Sequence, residues 1–190
     1  MIHAILAHDY QLFLWINHLP HAVLPDALAM TFSGLGASIL LWVLLGLWLF
    51  FREEREGKHV FWRIFISVAV ASILVETILK PMIGRVRPTM DMGAHIIAPA
   101  FGYSFPSGHA TVSWALAAVL SSVEKAYAPL WFFIAFCISL SRIYLGVHFP
   151  SDVVAGALIG LAIGNITLHV IRVQLEGKRM KRKSDKHRKK

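Results

Sequence analysis

An all-α bundle embedded in a membrane is the fold class this sequence predicts, and three observations predict it. Of its 190 residues, 56% are hydrophobic and the mean hydropathy is +0.60, more apolar than a soluble domain of this size. The apolar residues gather into runs of roughly the 20 residues that a bilayer crossing needs. Charge is also segregated. Residues 172–190 hold ten Lys and Arg against Glu176 and Asp185, a net +8 that equals the net charge of the whole chain.

The elements follow in order. Residues 1–32 contain AILAHDYQLFLWINHL, with apolar residues at helical spacing interrupted by His8, Asp9 and Asn17. That pattern predicts an N-terminal amphipathic helix lying in the membrane interface. No Lys or Arg precedes Arg52, so the basic start of a signal peptide is missing. Ser33–Phe51 and Val60–Leu79 read as the first two spans, joined by REEREGKH. His109–Val123 is less apolar, but Pro106-Ser107 before it and Glu124-Lys125 after it give it ends. Pro129–Leu145 and Val153–Ile171 bring the expected number of transmembrane helices to five. Residues 1–171 then form a single membrane-embedded domain, and 172–190 a basic tail. The lone Cys137 excludes an internal disulfide and a thiolate metal cluster.

Direction comes from the excess of Lys and Arg on cytoplasmic segments. The tail marks the cytoplasm and is expected to face anionic lipid headgroups; nothing in the sequence suggests a nucleic-acid fold. Arg52, Arg55, Lys58 and Arg63 make the first loop cytoplasmic. Five spans then place the N-terminus, residues 80–107 and residues 145–152 outside, in a multi-pass protein of the cell membrane. Lys80, Arg85, Arg87 and Arg142 are therefore four cations on the face that should be poor in them.

The outer face carries three clusters, KPMIGRVRP, YSFPSGHA and SRIYLGVHFPSD, and the four cations fall in the first and the third. Cations gathered without matching carboxylates describe a site for a multiply charged anion, with arginine forks and a lysine suited to phosphate oxygens. Ser107-Gly108 opening a helix offers free backbone N–H groups to the same anion. Asp152 follows His148 by one helical turn, so it can hold one ring nitrogen and leave the other as an unprotonated nucleophile. His109 is a second imidazole, suited to act as acid. Two histidines and an aspartate also suggest a metal site, but the surrounding cations repel a metal; no metal and no cofactor are expected. Glu76, one turn before Lys80, is a candidate ionic partner for Lys80 or Arg87, the alternative being a polar contact between helices. Arg85 is a supporting candidate, for a second phosphate or headgroup, or simply solvated. Asp91, His95 and Tyr103 lie in the outer loop where headgroup selection would occur.

Lys80-x6-Arg87-Pro88, Pro106-Ser107-Gly108-His109 and Ser141-Arg142-x5-His148-x3-Asp152 together resemble the three-part signature of the type 2 phosphatidic acid phosphatase superfamily, over roughly residues 33–171. The resemblance implies a metal-independent membrane phosphatase in which His148 forms a phosphohistidine and Asp152 orients it. His109 would protonate the leaving oxygen and later activate water. Lys80, Arg87, Arg142, Ser107 and Gly108 would hold the phosphate. Its small size is most similar to bacterial undecaprenyl-diphosphate phosphatases. Phosphatidylglycerol phosphate, phosphatidic acid and lipid A phosphate stay open as substrates, as does phosphotransfer to an acceptor other than water. The soluble vanadate haloperoxidases share the clamp, but five apolar spans disfavour that reading. A non-enzymatic protein that binds anionic lipid does not account for the full set of nucleophile, orienter and acid.

Overall fold

The computed structural model describes residues 2–37, 51, 57–123 and 125–188, and among these every regular element is helical. Helices α1, Ile2–Asn17, and α2, Val23–Ala37, open the chain. The segment expected as one amphipathic helix is thus the whole of one helix and the start of another. Pro20 accounts for the break, because it cannot extend α1 and disfavours helical geometry at Leu19. Residues 33–37 of the expected first span belong to α2; nearly all the rest of that span lies outside the described residues.

Helix α3, Gly57–Ile73, runs through a π-helical turn, Leu74–Leu79, into α4, Lys80–Ile83. Pro81 has no N–H to give the carbonyl of Thr77, and the ladder ahead of it widens: the Lys80 N–H bonds the Val75 carbonyl, five residues back. Gly84 closes the rod in the left-handed region, φ 65°, its N–H on the Lys80 carbonyl at 2.9 Å. Helix α5 is Gly108–Val123, α6 is Ala128–Tyr144 and α7 is Pro150–Arg188. Among the described residues, three stretches are long and apolar enough to cross a bilayer: Val60–Ile83, Lys125–Tyr144 and Pro150–Gly177. The bundle is a membrane bundle. Helix α7 does not stop at Ile171, as expected, but continues through the basic tail.

Helix α5, 16 residues long, lies at the centre. Helix α5 packs against α3, α6 and α7 and buries a run that includes Ala110, Thr111, Ser113, Leu116 and Val119. From Ala110 to Leu120 it is buried at every position but Trp114, so it faces protein rather than lipid. The α5–α7 contact is set by Gly156, Gly160 and Gly164, one turn apart on α7. A Cβ on each would stand 2.6 Å from the Ser107 carbonyl oxygen, 2.2 Å from that of Thr111 and 2.7 Å from that of Ala115. Small residues at this spacing let two membrane helices meet backbone to backbone.

Two apolar clusters fill the interior. Val60, Ile64 and Val68 of α3 meet Leu116 and Val119 of α5, Ile138 of α6 and Ile163 of α7. At the end where α5 and α7 begin, Phe13 and Ile16 of α1 pack with Ile143, Leu145, Val147 and Phe149. Polar pins hold α1 there: the Asn17 amide donates to the carbonyls of His95 and Tyr144 at 2.9 and 2.8 Å and accepts from the His95 N–H at 2.7 Å.

Candidate active site

Four chain segments end at one place. Helix α4 stops just after Lys80, α6 just after Arg142, α5 starts at Gly108 and α7 starts at Pro150. Every cluster singled out in the sequence therefore arrives at the same end of the bundle.

His148 lies in the loop between α6 and α7, only 1% exposed. Arg87 Nη1 stands 3.1 Å from its Nε2, and Asp152 Oδ2 stands 3.4 Å from its Nδ1. A guanidinium has only donors, so Nε2 must accept; the ring proton is then on Nδ1 and faces Asp152. Burial, reinforced by the Arg87 charge and opposed by Asp152, pushes the imidazole down to about 4. His148 is thus neutral at ordinary pH, with its lone pair on the nitrogen that faces Arg87.

Asp152 is wholly buried, and donors converge on both its oxygens. Ser104 Oγ and the Phe149 N–H (2.9 Å) reach Oδ2, and Arg85 Nη1 reaches Oδ1 at 2.6 Å. The carboxylate is held from several directions, and its orientation fixes the imidazole tautomer.

Two of the clamp cations are nearly closed to solvent. Lys80 is 7% and Arg142 6% exposed. Lys80 Nζ donates to both Glu76 oxygens, at 2.7 and 2.8 Å, so Glu76 takes the Lys80 partnership of the two open to it. Arg142 Nη1 donates to Ser33 Oγ of α2, while its buried Nε has no hydrogen-bond partner among the described residues. Arg87 is anchored by three carbonyls: Val147 at 2.7 Å, Gly102 at 3.0 Å and Phe101 at 3.1 Å. Burial lowers its pKa against the pull of Asp152 and Glu76.

Ser107 contributes differently from expectation. Its backbone N–H is already spent on the Asp152 carbonyl at 3.0 Å, and its hydroxyl caps α5 by accepting from Ala110 N–H at 3.5 Å. The first-turn N–H groups left for an anion are those of Gly108 and His109. A Cβ at Gly108 would meet Glu76 Oε1 at 2.6 Å, so glycine lets the Glu76–Lys80 pair lie against that turn. His109 is on the same turn, with no side-chain hydrogen bond among the described residues and with Arg142, His148, Lys80 and Arg87 in electrostatic reach.

Sequence reasoning missed four participants: Asp9, Ser33, Ser104 and Ser151. Arg85 is not directed at a headgroup. It bridges Asp152 to Asp9 of α1, the latter through Nη2 at 2.6 Å. Asp9 already stood out as an interruption of an apolar helix; the serines carry no such signal. Of the outer-loop candidates, Tyr103 lines a cavity of about 410 Å³ beside Arg87, His95 stacks on His18 at 4.6 Å, and Asp91 is exposed in a short 3-10 turn.

Residues 60–175 match the profile of the PAP2 superfamily. The chain belongs to the PAP2 superfamily. Among PAP2 relatives, the lipid A 4'-phosphatase of Porphyromonas gingivalis is 28% identical, over 87% of this chain and 74% of its own length. The undecaprenyl-diphosphatase of Sulfolobus acidocaldarius is 29% identical, over 87% of this chain and 79% of its own length. The crystal structure of Aquifex aeolicus LpxE superposes with a TM-score of 0.72 at 33% identity, covering 84% of this chain and 93% of that one. This PAP2 protein is a membrane phosphatase, a phosphoric ester hydrolase acting on lipid.

Proposed function

We propose that this PAP2 phosphatase hydrolyses a lipid phosphate or diphosphate at the extracytoplasmic membrane face, through a phosphohistidine on His148 and without a metal. The observation that carries this reading is His148 itself: one nitrogen is held by Asp152, and the other presents its lone pair beside Arg87. Substrate phosphate takes its place against Lys80, Arg87, Arg142 and the Gly108 and His109 N–H groups, drawing Arg87 from Nε2 onto phosphate oxygens. Nε2 attacks phosphorus, the bond to the leaving oxygen breaks, and His109 gives that oxygen its proton. His109 then takes a proton from water, whose oxygen attacks phosphorus. The N–P bond breaks, and His148 and inorganic phosphate are released. The clamp cations supply the charge neutralisation that a metal gives other phosphatases.

Undecaprenyl diphosphate is the first-choice substrate, supported by the match to the archaeal undecaprenyl-diphosphatase along most of both chains. A lipid A phosphate is the second reading, favoured by the P. gingivalis relative, a lipid A 4'-phosphatase. The same test covers phosphatidylglycerol phosphate and phosphatidic acid. Phosphate release from all four lipids in detergent, with EDTA present, ranks them and tests metal independence at once. A site built for pentavalent phosphorus is inhibited by vanadate and indifferent to chelation. Activity lost to EDTA and restored by magnesium would overturn the mechanism.

Sidedness has its own test. Helix α7 runs from the site at Pro150 to the basic residues before Arg188, so the two lie at opposite ends of one long helix. With the basic end cytoplasmic, the site faces out. A reporter fused after Lys190 is expected to be cytoplasmic and one inserted near Gly93 external; the same compartment for both contradicts this orientation.

A further inference from the structure

A network outside the phosphate clamp joins the first helix to the centre of the site. Asp9 of α1 is 8% exposed. Its Oδ1 accepts from the Ser151 N–H at 2.8 Å, and its Oδ2 accepts from Ser151 Oγ and Arg85 Nη2, both at 2.6 Å. Arg85 Nη1 donates to Ser151 Oγ and to Asp152 Oδ1, again at 2.6 Å. The guanidinium lies 4.2 Å above the Phe149 ring, and Phe149 meets Phe13 of α1 edge-on at 5.3 Å. Asp9 is 142 positions away from Ser151 in sequence, yet it bonds both the backbone and the hydroxyl of the residue next to Asp152.

The charge count gives this arrangement a purpose. Arg85 alone would neutralise Asp152, and a neutralised carboxylate gives little support to an imidazole that gains positive character as Nε2 bonds to phosphorus. With Asp9 included, one cation and two carboxylates leave the network at net −1. Building on the phosphohistidine reading above, we propose that Asp9 and Arg85 are positioning residues that set the orientation and net charge of the Asp152–His148 pair from the N-terminal helix. The other charged or titratable groups facing His148 are Arg87 from the α4–α5 loop, Arg142 from α6 and His109 from α5. None of them is altered by changes at Asp9 or Arg85.

The test is the pH dependence of phosphoenzyme formation on full-length protein in detergent, with a diphosphate lipid, whose leaving group needs no acid. His148 must be unprotonated to attack, so the rate falls as pH drops through its pKa. Asp9→Asn takes the network to zero, so the acid limb moves to lower pH and the plateau rate falls about 10–100-fold, as for other supporting-shell losses, with KM little changed. Arg85→Gln takes it to −2 and moves the limb to higher pH. Asp9→Asn with Arg85→Gln restores −1, and its limb returns toward wild type. Ser151→Ala removes a neutral partner of Asp9 and leaves the limb in place.

Opposed shifts that cancel in the double variant establish the proposal. Limbs that do not move, or a double variant displaced further than either single one, overturn it and leave Asp9 as a packing contact. Arg85→Lys, which keeps the charge, decides the matter where Arg85→Gln does not fold: its limb must stay at the wild-type position while its plateau falls. Failure of the underlying reading looks different, because wild-type protein would then carry no label on His148.

Discussion

His148→Ala is expected to lose turnover on every substrate, by about 10⁴-fold or more, as when a covalent nucleophile is removed. The size of the loss follows from the geometry. Arg87 Nη1 and Asp152 Oδ2 address the two nitrogens of this one ring, so in the proposed mechanism phosphorus is delivered to Nε2 and to no other imidazole. Clamp residues and first-turn N–H groups survive in the variant, so it should still bind vanadate while forming no phosphoenzyme. Rapid quench with radiolabelled substrate and peptide mapping measures this. A label that persists in His148→Ala refutes the nucleophile assignment.

His109→Ala is expected to lose activity in a way that depends on the leaving group. From phosphatidic acid the departing oxygen is a strongly basic alkoxide, and positioned acid catalysis is worth roughly 10²–10⁴-fold. Phosphoenzyme formation from a monoester should fall by about that factor. From a diphosphate lipid the departing group is a phosphate with a pKa of about 6, which leaves without a proton, so the loss should be clearly smaller. Dephosphorylation is assayed separately, because the proposed mechanism uses His109 as base in that half-reaction with either substrate. Single-turnover labelling with both substrates decides it. Equal losses would mean that His109 only positions phosphate.

The three motifs were legible because each is compact in sequence and built of residue types a lipid-facing helix does not tolerate. Lys80, Arg87, His109, Arg142, His148 and Asp152 could be named before any coordinates, and the structure gathers them at one end of the bundle. The supporting residues were not legible in the same way. Ser33 meets Arg142 across 109 positions and Asp9 meets Ser151 across 142, and no local periodicity encodes such pairings. Arg85 was ambiguous for the same reason: its partners come from α1 and α7. The helices expected over 60–79, 109–123, 129–145 and 153–171 are found there, but their boundaries were read less well. Pro20 divides the N-terminal segment, and α7 runs past Ile171 because a charged sequence of Lys, Arg and Glu is as good a helix former as an apolar one.

The glycine contact between α5 and α7 constrains the path of the lipid itself. With a Cβ at Gly160 already only 2.2 Å from a carbonyl oxygen of α5, that seam does not admit a single methyl group, let alone a prenyl or acyl tail. It is sealed for three successive turns of α7, from the site downward. A substrate that keeps its tail in the bilayer while its phosphate reaches His148 must therefore lie along another flank of the bundle.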